Sequence, residues 1–329
     1  PSAVIVGQDR AVEQFASAWA TRKLHHGWLL AGPKGVGKAS FAHSAARRVL
    51  ADAAGPSSTL PGIETPDDLP IVKLVEASSH PDMRRLERLL NEKTDNLARN
   101  ISVDQVRDLG AFLSLTPALS QWRVVIIDTV DDLETSGANA LLKILEEPPP
   151  NTLFFLVSHA PGRLLPTIRS RCRRLDFRKL DDDAMTSIVE RQAPGLTEAQ
   201  RERLISMSSG SAGRALAFAE LDLAKLEDAA LAILRQGDPT NARRSDLANE
   251  LGKKGAADRY SAFLDLVPSL IAREARRLER GPRERALDAY AKARELTAIA
   301  PRVSLDPAAT VFQIGGILAE IAQDASLKP

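Results

Sequence analysis

Cysteine is nearly missing from this chain. Cys172 stands alone in 329 residues, which excludes an internal disulfide framework and any multi-cysteine zinc cluster. Aromatic residues make up only 4%, and the Ala and Leu that fill their place favour helix. An excess of charge of either sign is absent too. Lys and Arg number 44 against 43 Asp and Glu, a formal net charge of +1, so the whole molecule is no electrostatic sleeve for nucleic acid, although a local basic face is compatible with it. No run reaches the roughly 18 apolar residues of a membrane span, and the first residues lack a charged-then-apolar leader pattern. The expected setting is therefore cytoplasmic, with no membrane partner. His25, His26, His43, His80 and His159 show no metal-ligand spacing, and no Ser/His/Asp or Cys/His arrangement stands out. At this length two or three domains are expected.

What the chain does have is Gly32-Pro33-Lys34-Gly35-Val36-Gly37-Lys38-Ala39, preceded by the apolar run Trp28-Leu29-Leu30-Ala31. This reads as a buried strand, a glycine-rich turn and the start of a helix, the layout of a phosphate-binding loop. Backbone N–H groups and a helix N-terminus cradle the phosphates, and a lysine reaches the outer ones. The match to G-x-x-x-x-G-K-[ST] fails only at its last position. Ala39 stands where a hydroxyl would ligate Mg²⁺.

Before this loop, Ala11, Phe15, Ala18 and Trp19 fall at helical spacing; after it, Phe41, Ala45, Val49 and Leu50 continue a helix. Residues 51–70 read as a surface loop or insertion. Ile71–Val75 is an expected strand, and the charged stretch 83–100 has no clear assignment. Ser102-Val103-Asp104-Gln105 has the form of a capping box that opens a helix. Val124-Val125-Ile126-Ile127-Asp128 fits a central parallel strand covered on both faces. A helix over Ala138–Leu145 stops at Pro148-Pro149-Pro150. Leu153–Val157 is the next strand, ending at Ser158, and a short strand surrounds Arg174–Phe177. Alternating strands and helices over 177 residues imply an α/β domain with a parallel sheet. Ligands of such sheets sit beyond the strand C-termini, where the loop, Asp128 and Ser158 all fall. Beyond Asp181 the pattern is helical throughout, with a boundary at Gly237-Asp238-Pro239.

Two losses argue against catalysis. Phosphoryl transfer depends on positioning a metal and a nucleophile. Ala39 cannot ligate, and Ser40 lies about 100° further round the helix. Thr129 follows Asp128, where AAA+ ATPases usually carry a glutamate for the attacking water. Asp131 and Asp132 read as helix-start residues on a solvated face. Arg171, within the basic cluster Arg169–Arg174, and Arg214, after Gly210-Ser211-Ala212-Gly213, are the remaining arginines of interest. Cys172 has no base beside it in the sequence and reads as structural.

Gly7-Gln8, the Gly32–Lys38 loop, Val124–Asp128, Leu141-Leu142-Lys143-Ile144-Leu145-Glu146-Glu147-Pro148 and Ser170-Arg171-Cys172, in this order, resemble the bacterial DNA polymerase III clamp-loader subunits. The resemblance implies an AAA+ α/β domain with a parallel sheet over residues 1–178, a small helical lid over 179–236 and an all-helical collar domain over 237–329. Ala39 and Thr129 make it resemble the delta-prime type more than the hydrolysing gamma/tau type, as does a length short of a tau-like tail. It implies a rigid stator, with gamma/tau and delta as partners and the sliding clamp and primer-template DNA reached through the complex. Arg171 would then act in trans, as an arginine finger on a neighbour's ATP. Gly32, Gly35, Gly37, Lys38, Asp128, Ser158 and Arg214 correspond to nucleotide contacts. Whether they still hold ATP or ADP stays open; none is required. Relatives commonly carry a four-cysteine zinc between the two nucleotide motifs, but residues 51–100 hold no cysteine, so no metal is expected. Two alternatives remain: a working ATPase that uses Ser40 or a water, and a stand-alone DNA-binding or regulatory protein that uses the Arg169–Arg174 cluster.

Overall fold

The computed structural model describes residues 5–91 and 96–322. Val4, at the opening apolar segment, and residues 92–95 of the charged stretch lie outside the described residues. The chain divides into two compact units between Ala184 and Met185.

The first unit holds β1 (Gly27–Ala31), β2 (Met83–Leu86), β3 (Leu90–Asn91), β4 (Asn96–Leu97), β5 (Arg123–Asp128), β6 (Thr152–Ser158) and β7 (Arg173–Asp176). Its helices are α1 (Asp9–Ala20), α2 (Lys38–Ala54), α3 (Pro70–Glu76), α4 (Val103–Ser114), α5 (Thr135–Glu146) and α6 (Pro166–Ser170). Five strands form one parallel sheet in the order β2-β5-β6-β1-β7, while β3 and β4 pair antiparallel by themselves. Successive strand residues point to opposite faces, and the apolar runs divide accordingly. Trp28, Leu30, Val124, Ile126, Phe155 and Val157 pack on one face with Phe15, Phe41 and Val49 of α1 and α2. Leu29, Val125, Ile127, Phe154 and Leu156 pack on the other with Val106, Leu109, Leu141 and Leu145 of α4 and α5. Burial on both faces is why these strands lack a polar alternation.

Two readings need correction. Ile71–Val75 is not a strand but the body of α3. Pro70 takes the first helical position, where its fixed φ suits a helix. Val72 and Val75, three apart, are the buried pair while Lys73 is exposed, a helical period that overrides the β-branched composition. The real strand lies in the charged stretch: β2 pairs only with β5, at the sheet edge. An edge strand tolerates exposed charge, and here Arg84 and Arg85 are exposed.

The capping box opens α4 as expected: Gln105 N donates to Ser102 Oγ at 3.3 Å, and Ser102 N to Gln105 Oε1 at 3.1 Å. The loop after α2 is gathered around one guanidinium. Arg48 donates to Asp52 Oδ2 (2.8 Å), Leu60 O (2.9 Å), Glu64 O (2.9 Å) and Ser58 O (2.7 Å). Asp52 in turn accepts from Trp19 Nε1 and Ser58 N.

The second unit begins within α7 (Asp182–Gln192) and continues through α8 (Glu198–Ser208), α9 (Ala212–Glu220), α10 (Ala224–Gln236), α11 (Ala242–Leu251), α12 (Ala257–Ala275), α13 (Arg280–Val303) and α14 (Pro307–Ala322). Its core runs from Leu204 and Phe218 through Ile233, Leu266 and Leu270 to Val311 and Leu318. Gly237, at φ +72°, ends α10 within this cluster's span. Two buried acids are matched by arginines: Glu227 by Arg203 and Arg273, and Glu274 by Arg235 and Arg277.

Candidate functional site

The sheet order brings three strand ends together. Ala31 is in register with Ser158, and Asp128 with Val157, so the ends of β1, β6 and β5 lie side by side. The chain leaves β1 through Gly32, where a Cβ would fall 2.3 Å from Phe177 O; only glycine permits this approach to the end of β7. Gly35 and Gly37 take φ +76° and +96°, and Gly37 caps α2. A Cβ on Gly37 would meet nothing within 4 Å. Gln8 bolts the loop to the chain beyond β7: its Nε2 donates to Val36 O (3.1 Å) and Arg178 O (2.8 Å), and its Oε1 accepts from Arg178 N (3.2 Å).

Lys38 is 2% exposed. Its ammonium donates to Gly32 O at 2.7 Å and to Pro33 O. Burial lowers its pKa to about 8, against the opposing pull of Asp131 and Asp128. Ser158 Oγ donates to Asp131 Oδ1 at 2.8 Å, and His159 N donates to Asp131 Oδ2 at 2.5 Å. Asp131 is a helix-start residue, in the short turn Val130–Asp132, but it does not lie on a solvated face: it is half-buried, with its carboxylate held at the end of β6. Thr129 Oγ1 lies 3.3 Å from His159 Nε2. Burial of that ring, with Lys38 nearby, brings the His159 pKa down to about 4, so the imidazole is neutral at pH 7. Asp132 is shifted upward by burial, with Arg88 the main opposing charge.

Asp128 has a partner that sequence reasoning missed. Arg85 Nη2 donates to Asp128 Oδ2 at 2.9 Å. The signal was hidden because the strand that carries Arg85 looks like a charged loop. Asp131 could have been found from its place three residues after Asp128, at a strand end.

The structure does not bring Arg171 to this loop. A Cβ on Gly27, the first residue of β1, would meet Arg171 O at 3.2 Å, so Arg171 borders the opposite end of the strand. Five residues of strand separate the two, roughly 13 Å. Its guanidinium pairs with Glu146 Oε1 at 2.7 Å and donates to Thr167 O at 3.0 Å. Others of the basic cluster are engaged: Arg173 lies over the Trp28 ring and Arg174 pairs with Asp176. Burial pushes the Cys172 thiol up to about 12, which leaves it unreactive at neutral pH. Arg214 belongs to the second unit, where Ser211 Oγ caps its N–H, its guanidinium donates to Asp265 O at 2.8 Å and it lies 5.4 Å from the Phe218 ring centroid.

Mg²⁺ does not fit the donor set at the loop. Ala39 offers no donor atom, Ser40 is exposed, and Asp128 is ion-paired. Among the described residues no group of three or more His, Cys, Asp or Glu converges as a metal site.

A family model described as DNA polymerase III, delta subunit matches residues 7–181. The chain is 29% identical to the DNA polymerase III subunit tau of Bacillus subtilis over 273 residues, 80% of this chain and 45% of that protein. It is 35% identical to the DNA polymerase III subunit delta' of Pseudomonas aeruginosa over 186 residues, 56% of this chain and 53% of that protein. It thus spans about half the length of these curated relatives. Among solved structures, a DNA polymerase III gamma subunit-related protein of Thermotoga maritima aligns over 95% of this chain and 100% of its own, with 16% identity and a TM-score of 0.44.

Proposed function

We propose, from the premise that this chain belongs to the clamp-loader family described as DNA polymerase III, delta subunit, that it is the delta-prime-like stator of a DNA polymerase III clamp loader. Its own loop keeps the phosphate cradle but lacks both the metal hydroxyl, at Ala39, and the water-activating acid, at Thr129. Its contribution to ATP hydrolysis comes instead from Arg171, acting on the ATP of a neighbouring gamma/tau subunit. The delta and gamma/tau subunits are its partners, and the complex carries it to the sliding clamp and primed DNA in the cytoplasm. The three-domain plan belongs to the same proposal, with a lid over 179–236 and a collar over 237–329.

The observation that carries this reading is the position of Arg171. It lies across the length of β1 from Lys38, so it cannot serve its own loop, and it sits at the rim of the sheet with its fork held by Glu146. A planar, permanently charged guanidinium suits the charge that develops on a transferring phosphoryl group.

The test is Arg171→Ala in the assembled loader. Assembly should be unchanged while ATPase falls by at least about tenfold at the site this residue serves. Full ATPase in an intact complex would remove the finger role.

A further inference from the structure

Asp128 is the strand acid from which a phosphate-binding loop of this type ordinarily holds Mg²⁺. Here it already holds a cation from the chain itself. Arg85 lies on β2 opposite Ile126, two residues short of Asp128 along the neighbouring strand, and its Nη2 reaches Asp128 Oδ2 at 2.9 Å. The same nitrogen lies 2.9 Å from Glu87 Oε2, so the guanidinium bridges two carboxylates. A guanidinium stays charged at every working pH. Its neighbours complete the misfit to a metal: Ala39 has no hydroxyl, and Asp131, the other nearby carboxylate, is committed to Ser158 Oγ and His159 N.

What the loop retains is suited to phosphate. Gly37 caps the N-terminus of the 17-residue helix α2, and a Cβ built there meets nothing within 4 Å; helix N-terminal N–H groups attract anions. Lys38 places its ammonium at the base of the same loop, where it donates to Gly32 O and Pro33 O until a phosphate takes their place. Asp128 would repel an incoming phosphate if bare; Arg85, shared with Glu87, offsets part of that charge, the part Mg²⁺ plays in an active site.

We propose that Arg85 takes the place of the divalent cation, so that this loop binds the diphosphate of a nucleotide without Mg²⁺. The loop is a phosphate cradle here as under the proposed function, but the two ideas fail separately: co-purification decides the stator role, and metal dependence decides the role of Arg85.

ADP titrated calorimetrically into the full chain, once in excess Mg²⁺ and once in EDTA, tests this. The two dissociation constants should agree within about twofold. Arg85→Ala, which exposes Asp128, should bind ADP at least about tenfold more weakly in EDTA and recover on addition of Mg²⁺. Arg85→Lys should remain independent of metal. Binding by the unsubstituted chain that tightens about tenfold or more in Mg²⁺ would overturn the proposal. So would absence of ADP binding in both buffers, or a folded Arg85→Ala that matches the parent in EDTA. The comparison on the unsubstituted chain stands without any variant, so a misfolded Arg85→Ala still leaves a decision.

Discussion

Lys38 carries its charge into a place from which water is largely shut out, and its pKa of about 8 records the cost. An unfolded lysine titrates near 10.4. Between about pH 8 and 10.4 the unfolded chain therefore holds a proton that the folded chain has shed, and stability rises with pH across that window, by at most about 1.4 kcal/mol per pH unit. Below pH 8 both states are protonated and the term is flat. Urea denaturation of the parent chain and Lys38→Met at pH 7.5 and 9.5 checks this: the substitution should flatten the rise. An equal rise in both would place its origin elsewhere. His159 acts in the same sense at lower pH. Its pKa of about 4 lies below the usual value, so stability is lost as pH falls from about 6.5 toward 4. At this scale the sequence showed the loop residues plainly, because Gly32, Gly35, Gly37 and Lys38 are adjacent in the chain. Arg85 was hidden, because its pairing with Asp128 spans 43 residues and depends on which strand becomes the edge.

Among the elements, the loop after α2 is gathered around a single side chain. The guanidinium of Arg48 meets three backbone carbonyls and the buried carboxylate of Asp52. Arg48→Ala would leave that carboxylate without its counter-charge, with only Trp19 Nε1 and Ser58 N still donating to it, and breaking a buried pair in this way costs on the order of 3 kcal/mol. The expected outcome is a lower denaturation midpoint together with faster proteolysis within residues 55–69; an unchanged midpoint would show that the loop packs without the staple. The unbroken apolar strands and the Ser102 cap were legible in the sequence because their signals are local and strong. Two elements were not. In α3 the period of Val72 and Val75 opposes the strand preference of Ile71 and Val75, and packing against α2 decides the outcome. In β2 only Met83 and Leu86 turn inward, too few apolar residues to mark a strand. The turn that returns Asp131 to Ser158 has no sequence signature of its own.

At the scale of the whole molecule, near-neutral net charge and a P-loop without its metal hydroxyl make little sense for a solitary motor or a solitary DNA binder. They accord with the proposed role as one subunit of an assembly. Of the basic residues around Arg171, Arg173 lies over Trp28 and Arg174 pairs with Asp176, so the segment does not present an unpaired phosphate-binding patch. The central claim is therefore one of membership. Co-purification of the full chain with gamma/tau and delta of the same organism, followed by size-exclusion chromatography, tests it most directly. A single complex that contains all three chains is the expected result. Elution of this chain alone, while gamma/tau and delta associate without it, would rule out the stator role.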